Sequence, residues 1–150
     1  MADFYGEYDN GIDPKGRFYV PAAFRKALPK EADDTFVVTR GFDGCLAVYG
    51  LDAWNRVKDE LRRLSPLKKT DRQFVRAIVS QAAEAKVDRQ GRIAIPRKLL
   101  DKAGIRDRAT VIGALDKFEL WNPERYEQYM EDADEHLAET AEQLGIGDRF

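Results

Sequence analysis

The sequence predicts an α+β fold in which one structural unit is built twice. Three observations support this prediction: a nine-residue motif that recurs 75 residues later, alternating apolar segments around each copy, and helix start and stop signals between them. The motif reads Asp-Pro-Lys-Gly-Arg-Phe-Tyr-Val-Pro from Asp13 and Asp-Arg-Gln-Gly-Arg-Ile-Ala-Ile-Pro from Asp88. We therefore expect two tandem repeats, each with the element order ββαββα.

Six positions of the motif and of the helix behind it match between the two copies. They are Asp13/Asp88, Gly16/Gly91, Arg17/Arg92, Val20/Ile95, Pro21/Pro96 and Phe24/Leu99. In each copy, Asp13 or Asp88 and the glycine three residues later predict a tight turn, because the carboxylate accepts backbone hydrogen bonds and glycine tolerates a positive φ. The arginine then begins a strand with one apolar face, and the proline begins a short helix. Asp13, Gly16, Asp88 and Gly91 are thus the expected turn-forming residues.

In the first copy, the motif is followed by a second hairpin and a longer helix. The predicted strands cover residues 6–12, 17–20, 35–39 and 45–49, and the predicted helices cover residues 22–28 and 53–64. We expect the first two strands to pair as a hairpin around the Asp13 turn, although Asn10-Gly11 offers a rival turn. Asp52 is expected to cap the longer helix.

The second copy repeats this order after a connecting helix. Its predicted strands cover residues 84–87, 92–95, 109–114 and 117–121, and its predicted helices cover residues 97–103 and 124–144. Gly104 is the stop signal of the shorter helix, and Asn122-Pro123 is the start signal of the last one. Helical spacing of Phe74 and Ile78 predicts an amphipathic connecting helix over residues 70–83.

Composition excludes several classes of protein. The sequence has no apolar run long enough to span a membrane, and its acidic, aromatic N-terminus is unlike a signal peptide, so we expect a cytoplasmic protein. A nucleophile pair of Cys45 and His136 would lack a third orienting group, and Cys45 is expected to be buried and inert. The sequence offers neither the several Cys or His of a structural metal site nor a phosphate-binding loop. We expect no enzymatic activity, no metal and no cofactor.

Charge is unevenly distributed along a chain whose net charge is −2. Residues 56–76 carry eight basic and three acidic side chains, and residues 88–102 carry five basic and two acidic ones. Residues 124–149, in contrast, carry nine acidic and two basic side chains. An acidic tail therefore masks a basic body, which suits a nucleic-acid partner. A solvated helix face without a partner is the alternative explanation.

Taken together, these motifs resemble the MraZ family, the two-copy branch of the SpoVT/AbrB-like swapped-hairpin DNA-binding proteins. The resemblance rests on the duplicated motif, on Cys-Leu-Ala-Val-Tyr from Cys45 before a helix with Trp54, on residues 72–76, and on Lys-Phe-Glu-Leu-Trp from Lys117. It implies that the hairpins of the two copies interlock into one small pseudo-symmetric barrel with flanking helices. The expected divisions are AbrB-like domains at residues 7–54 and 82–125, connecting helices at residues 55–81 and an acidic C-terminal helix at residues 126–150.

The resemblance also implies a function. It predicts a nucleoid-associated transcriptional regulator that binds double-stranded promoter DNA at short guanine-containing direct repeats, upstream of its own cell-division and cell-wall gene cluster. It further implies a homo-oligomer in the form of a ring, with no membrane or small-molecule partner. The Lys-Gly-Arg segment of this family lies on its DNA-binding face, so Lys15 and Arg17 are expected to bind DNA together with Arg25 and Arg92. Arginine can donate two hydrogen bonds to guanine, and lysine neutralises phosphate.

The two copies are not expected to contribute equally. Gln90 replaces Lys15 and Leu100 stands in place of Arg25, which favours copy one for base reading. Arg97, among other cations, supplies nearby positive charge in copy two.

Two alternatives stay open at the level of sequence. Each motif arginine could pair with Asp13 or Asp88 and serve only the turn. The whole chain could also belong to another class, a protein-interaction module, for instance an antitoxin-like partner that occludes another protein with its own acidic C-terminal helix.

Overall fold

The structure, a computed structural model, describes residues 2–150 and is an α+β protein with a largely antiparallel sheet. The strands are β1 (Glu7–Gly11), β2 (Arg17–Tyr19), β3 (Thr35–Arg40), β4 (Leu46–Gly50), β5 (Ala83–Lys86), β6 (Arg92–Ala94), β7 (Arg108–Gly113) and β8 (Phe118–Trp121). The α-helices are α1 (Ala22–Ala27), α2 (Leu51–Arg62), α3 (Lys69–Val79), α4 (Arg97–Ala103), α5 (Pro123–Glu135) and α6 (Leu137–Gln143). Short 3₁₀ helices lie at Lys30–Ala32 and Gly147–Arg149.

The two repeats share one sheet by exchanging strands. Six strands follow the order β1-β7-β8-β4-β3-β5, and β2 and β6 form a separate two-stranded ribbon. The four central strands are the hairpins β3-β4 and β7-β8, joined by the pairing of β4 with β8. Each outer strand comes from the opposite repeat, since β1 pairs with β7 and β5 pairs with β3. Each half of the chain therefore completes the sheet of the other half.

The hairpin predicted around the first turn forms only at its tip. Ile12 and Phe18 form an isolated bridge, and the backbone N–H of Asp13 donates to the carbonyl of Arg17 at 3.0 Å. Beyond that bridge, β1 pairs with β7 and β2 pairs with β6, so the expectation of one continuous hairpin is wrong. The physical reason is that an isolated two-stranded hairpin is marginal in water, whereas the exchange buries the apolar side chains in a shared core. The rival turn at Asn10-Gly11 does not form, because both residues lie within β1.

Local signals at two helix ends are confirmed. Gly104 ends α4 in the left-handed conformation, with a φ of 68°. Asn122 caps α5, because its side-chain oxygen accepts from the backbone N–H groups of Glu124 at 2.9 Å and Arg125 at 3.1 Å, with Pro123 at the first helical position.

Three helix expectations need correction. Asp52 does not cap α2, because Gly50 holds the capping position and Asp52 lies in the first turn, where a carboxylate favours the positive end of the helix dipole. The connecting helix α3 ends at Val79, ahead of the residues that enter β5. The acidic helix expected over residues 124–144 is two helices, because the backbone leaves the helical region at His136, with a φ of −113° and a ψ of 26°.

The core is built from aromatic and aliphatic side chains of both repeats. Phe118 lies at its centre, with ring centroids 5.0 Å from Phe24, 5.4 Å from Phe4 and 5.4 Å from Phe36. Burying a side chain of this size contributes about 1.5–3 kcal/mol. The central residues of β2 and β6 are buried in the same core, which therefore fixes the ribbon against the sheet. Within residues 2–150, no helix is both long and apolar enough to cross a membrane.

Candidate nucleic-acid interface

The two copies of the motif meet in the ribbon formed by β2 and β6. The opposed pairs are Arg17/Ala94, Phe18/Ile93 and Tyr19/Arg92. Two backbone hydrogen bonds extend the ribbon, from the N–H of Val20 to the Gly91 carbonyl at 3.0 Å and from the N–H of Ile95 to the Gly16 carbonyl at 2.9 Å. Phe18 lies opposite its own counterpart in the second repeat. Arg17 lies opposite the counterpart of Tyr19, and Tyr19 lies opposite the counterpart of Arg17. The ribbon therefore has a local twofold axis through its central pair, and both turns lie beside it.

The first turn is held by its aspartate and its glycine. Oδ1 of Asp13 accepts from the backbone N–H groups of Lys15 at 3.0 Å and Arg17 at 2.9 Å. The N–H of Gly16 donates to the Asp13 carbonyl at 2.9 Å, with Gly16 at a φ of 79°. A Cβ at Gly16 would lie 2.7 Å from the carbonyl oxygen of Ile95, so the approach of the other repeat also requires glycine.

The second turn has the same construction. Oδ1 of Asp88 accepts from the backbone N–H groups of Gln90 and Arg92, both at 2.9 Å. The N–H of Gly91 donates to the Asp88 carbonyl at 3.0 Å. The repeat in sequence is thus a repeat in geometry.

Both turn carboxyls have a pKa below the ordinary value of an aspartate. The backbone N–H of Arg17 is the largest cause of the lowered pKa of Asp13, and the Arg17 side chain and the Lys15 N–H add to it. The backbone N–H of Arg92 acts in the same way on the pKa of Asp88. Each turn therefore carries a fixed negative charge at neutral pH, next to the arginine that follows it.

Each motif arginine contacts the aspartate of its own turn. Nε of Arg17 lies 2.6 Å from Oδ2 of Asp13, and Nε of Arg92 lies 2.9 Å from Oδ2 of Asp88. The pairing considered from the sequence thus exists for both arginines. Their exposure differs, because 36% of the Arg17 side chain is accessible to solvent but only 14% of the Arg92 side chain.

The other two cations expected at the interface lie at the two turns. Lys15 is exposed at the tip of the first turn. Arg25, on α1, reaches across to the second turn, where its Cζ lies 2.8 Å from the position of a Cβ on Gly91, and its Nε donates to the carbonyl of Val20 at 3.2 Å. Contacts between the repeats therefore bring the four predicted DNA-binding residues to one ribbon and its two turns.

The helices that cover the turns are exchanged in the same way as the strands. Leu100 on α4, the counterpart of Arg25, is buried and lies 3.6 Å from the position of a Cβ on Gly16. Arg97, also on α4, donates from Nη2 to the carbonyl of Pro14 at 3.3 Å. The first turn is therefore covered by a leucine and the second by an arginine.

Sequence reasoning missed Tyr19 as part of this site. Its side chain is partly exposed on the ribbon, and Cζ of Arg92 lies 5.8 Å from the centroid of its ring. The signal was present in the sequence, because alternation along β2 places Arg17 and Tyr19 on the same face. The cross-strand register that brings Tyr19 to Arg92 is set by tertiary pairing between repeats.

The groups that could act as a nucleophile or as metal ligands lie away from the ribbon. The thiol of Cys45 donates to the carbonyl of Phe42 at 3.1 Å, and burial raises its pKa to about 12, so it is protonated at neutral pH. Asp132, Glu135 and His136 place ligand atoms within 4.8 Å of one another on the C-terminal helices, as exposed acidic groups commonly do without a metal.

The fold and the site define a class: an α+β protein of two tandem repeats that share one sheet and present a cationic β-ribbon. The family model described as "MraZ protein, putative antitoxin-like" matches residues 4–77 and again 78–145. "Transcriptional regulator MraZ" from Ligilactobacillus salivarius is 43% identical over 141 residues, which cover 94% of this chain and 96% of that protein. The protein of the same name from Pediococcus pentosaceus is 40% identical over the same shares. The chain belongs to the MraZ family.

Proposed function

We propose that this protein is a transcriptional regulator that binds duplex DNA through the β2–β6 ribbon. The observation that carries the proposal is the pair Arg17 and Arg92 on one two-stranded ribbon built from both repeats, with Lys15 in the first turn and Arg25 of α1 against the second. A two-stranded ribbon fits the major groove of B-DNA, where guanine presents two acceptors to an arginine. The printed names of the two relatives support a regulatory role.

Arg17 is the residue assigned to base reading. Within residues 2–150, the Arg17 side chain makes one hydrogen bond, from Nε to Asp13. This bond orients the guanidinium and leaves its terminal nitrogens for the O6 and N7 atoms of guanine. Lys15 and Arg25 are exposed and are assigned to phosphates, where they release counterions.

The exchanged strands support the finer description of the fold as an interlocked, swapped-hairpin barrel. The pairing of β1 with β7 and of β5 with β3 is reciprocal, and the helices α1 and α4 are exchanged across the turns in the same sense. Such interlocking would bring the two turns to one surface, and the contacts of Arg92 with Asp13 and Asp88 support this arrangement. In the proposed function, that surface is the DNA-binding face.

The proposed target is a set of short guanine-containing direct repeats in the promoter of the protein's own cell-division and cell-wall gene cluster. A protein with this task works in the cytoplasm, in association with the nucleoid. Both assignments follow from the family resemblance, and the arginine chemistry of the ribbon supports a guanine-containing target.

Direct repeats in DNA suit repeated protein subunits, so we include a ring-shaped homo-oligomer in the proposal. The C-terminal arm, defined as α6 and the 3₁₀ helix Gly147–Arg149 with Phe150, exposes Leu137, Leu144 and 97% of Phe150. The charged side chains of α5 and α6 are mostly acidic. Apolar groups this exposed favour a protein partner.

A complementary surface lies between α2 and α3. An apolar trough of about 460 Å³ there has Trp54, Leu61 and Val75 among its lining residues, with Lys58 and Arg62 beside them. An acidic, apolar arm and a basic, apolar trough at different places on one chain favour head-to-tail association, which forms a ring when the rotation closes.

Fluorescence anisotropy of the full chain and of Arg17→Ala tests the proposal. The duplexes are the protein's own upstream region and a shuffled version, each at two salt concentrations. We expect Arg17→Ala to bind the upstream duplex about 10-fold or more weakly, because a bidentate arginine contact to guanine discriminates by about 1–3 kcal/mol. Arg63→Ala, which removes an exposed arginine at the C-terminal cap of α2 paired to Glu60, is the matched control and should bind as the native chain does.

Two outcomes would contradict this function. Equal affinity of the native chain for both duplexes would leave only non-specific cation binding. Absence of binding at low salt would remove the regulator and favour the protein-interaction module, in which the exposed C-terminal arm holds another protein.

A further inference from the structure

We propose that Arg92 is a positioning residue and not a second base-reading arginine, and that the residue opposite each arginine in the ribbon decides this division. Tyr19 confines Arg92, whereas Ala94 leaves Arg17 free for DNA. The inference rests on the proposed function and deepens it, because it assigns one guanine-reading side chain to each protomer.

The first observation is the difference between the two cross-strand partners. Arg17 lies opposite Ala94 and Arg92 lies opposite Tyr19, although the ribbon relates the two arginines by its local twofold axis. The Tyr19 ring stands 5.8 Å from Cζ of Arg92, a distance at which a guanidinium and an aromatic face attract each other. A methyl group at Ala94 cannot act in this way on Arg17. The lower exposure of Arg92 agrees with this contact.

The second observation is the number of carboxylates that each arginine meets. Arg92 lies between two of them, with Nε 2.9 Å from Asp88 and Nη1 3.5 Å from Oδ2 of Asp13. Within residues 2–150, Arg17 pairs with Asp13 alone. Arg92 therefore bridges the turns of both repeats, and its charge is met on two sides.

These contacts give Arg92 an indirect part in recognition. Oδ2 of Asp13 accepts from Nε of Arg17 and lies near Nη1 of Arg92, so the two arginines fix the same carboxylate from opposite repeats. A carboxylate held in this way sets the direction of the Arg17 guanidinium. To reach a base, Arg92 would first have to break its contacts with Tyr19 and two carboxylates, which costs free energy. Arg17 contacts one carboxylate, so the cost for Arg17 is lower.

An exchange of the two opposing residues tests the inference. Four full-length variants, Ala94→Tyr, Tyr19→Ala, Arg92→Ala and Arg92→Lys, are compared with the native chain and Arg17→Ala. Affinity is measured on the upstream duplex and on the same duplex with 7-deazaguanine, which lacks the N7 acceptor. Their affinity ratio reports guanine recognition, and thermal unfolding of every variant reports folding.

Specific results are expected from each variant. Ala94→Tyr should confine Arg17 and lower both affinity and the guanine ratio about 10-fold, as Arg17→Ala does, while the unfolding midpoint stays near that of the native chain. Tyr19→Ala should keep the ratio and steepen the salt dependence by up to about one unit, because a freed Arg92 can meet a phosphate. Arg92→Ala should lower affinity about 3-fold to 10-fold, and Arg92→Lys should recover most of this loss because a cation returns beside Asp13.

Two results would overturn the inference alone. They are loss of the guanine ratio in Arg92→Ala to the extent seen in Arg17→Ala, and a native ratio in a folded Ala94→Tyr variant. A native chain that binds the upstream duplex and its 7-deazaguanine form equally would overturn guanine reading by Arg17, which is part of the proposed function, and this inference together.

Discussion

At the first turn, the carbonyl of Ile95 approaches Gly16 so closely that the site has no room for a side chain. Gly16→Ala should therefore lower the free energy of unfolding by more than the usual cost of a strained residue, which is about 1–3 kcal/mol. The cost is higher because the new Cβ would also lie 2.7 Å from a backbone oxygen. Gly44→Ala is the matched control, because Gly44 has a φ of 88° but open space around its Cβ position. Urea denaturation of both variants gives the comparison. Equal costs would show that contact between the repeats adds nothing.

The turn carboxylates make stability depend on pH. Folding lowers the pKa of Asp13 and of Asp88. The two carboxylates therefore add to the free energy of unfolding above the unfolded pKa of about 3.9, and this stabilisation is lost as pH falls through their folded pKa values. The native chain should therefore lose thermal stability below about pH 4. The double variant Asp13→Asn with Asp88→Asn should show a flatter profile between about pH 5 and pH 3. Parallel profiles would contradict this source of acid sensitivity.

Cys45 gives a separate measure of burial. Burial is the largest cause of its pKa of about 12, so few thiolates exist at pH 8 in the folded chain. Its reaction with a disulfide reagent should be at least about 100-fold slower in the native protein than in denaturant, where the pKa is about 8.5. The reaction can be followed by absorbance. Similar rates in both conditions would mean that the strand β4 opens readily near its first residue.

At the scale of elements, local chemistry was sufficient to predict two helix ends, the start of α5 and the end of α4. The Asn122-Pro123 pair and Gly104 act on their immediate neighbours, and both functioned as predicted. The pairing of β1 was predicted wrongly because strand partners are selected by the burial of apolar faces across the whole chain. The break at His136 had no clear sequence signal, since the residues on both sides of it favour a helix.

Asn122 joins two elements and is expected to matter for both. Its Nδ2 donates to the carbonyl of Gly104 at 2.8 Å, while its oxygen caps α5. Asn122→Ala should lower the free energy of unfolding by about 0.5–2 kcal/mol, the range for a lost helix cap. Asn55→Ala, at an exposed position within α2, should change it by less than about 0.5 kcal/mol. Denaturant midpoints of the two variants decide between a cap with a role in stability and an exposed end that frays freely.

The candidate site shows the same limit of sequence reasoning. Asp13, Gly16 and Arg17 were recognisable because their roles lie within one turn. The contact that confines Arg92 could not be recognised from the sequence. It depends on Tyr19 of the other repeat and on a strand register that no local signal specifies.

At the scale of the whole molecule, the exchanged strands make each half dependent on the other. Residues 1–81 contain β1, whose partner β7 lies in the second half, and residues 82–150 contain β5, whose partner β3 lies in the first. Neither half should exist as a folded monomer, and mixing the two halves should restore the native circular dichroism. Light scattering coupled to size exclusion distinguishes a folded monomer from an unfolded chain or a self-paired dimer. A half that unfolds cooperatively as a monomer would contradict this dependence.

The local twofold axis of the ribbon has a consequence for how such a surface can change over generations. In a homodimer, a single codon change would appear on both sides of the axis, and no residue could specialise without altering its twin. Here the two sides are encoded separately, so position 19 can hold a tyrosine while position 94 holds an alanine. Joining the halves in one gene allows one arginine to become part of the scaffold while the other keeps its freedom to meet a partner.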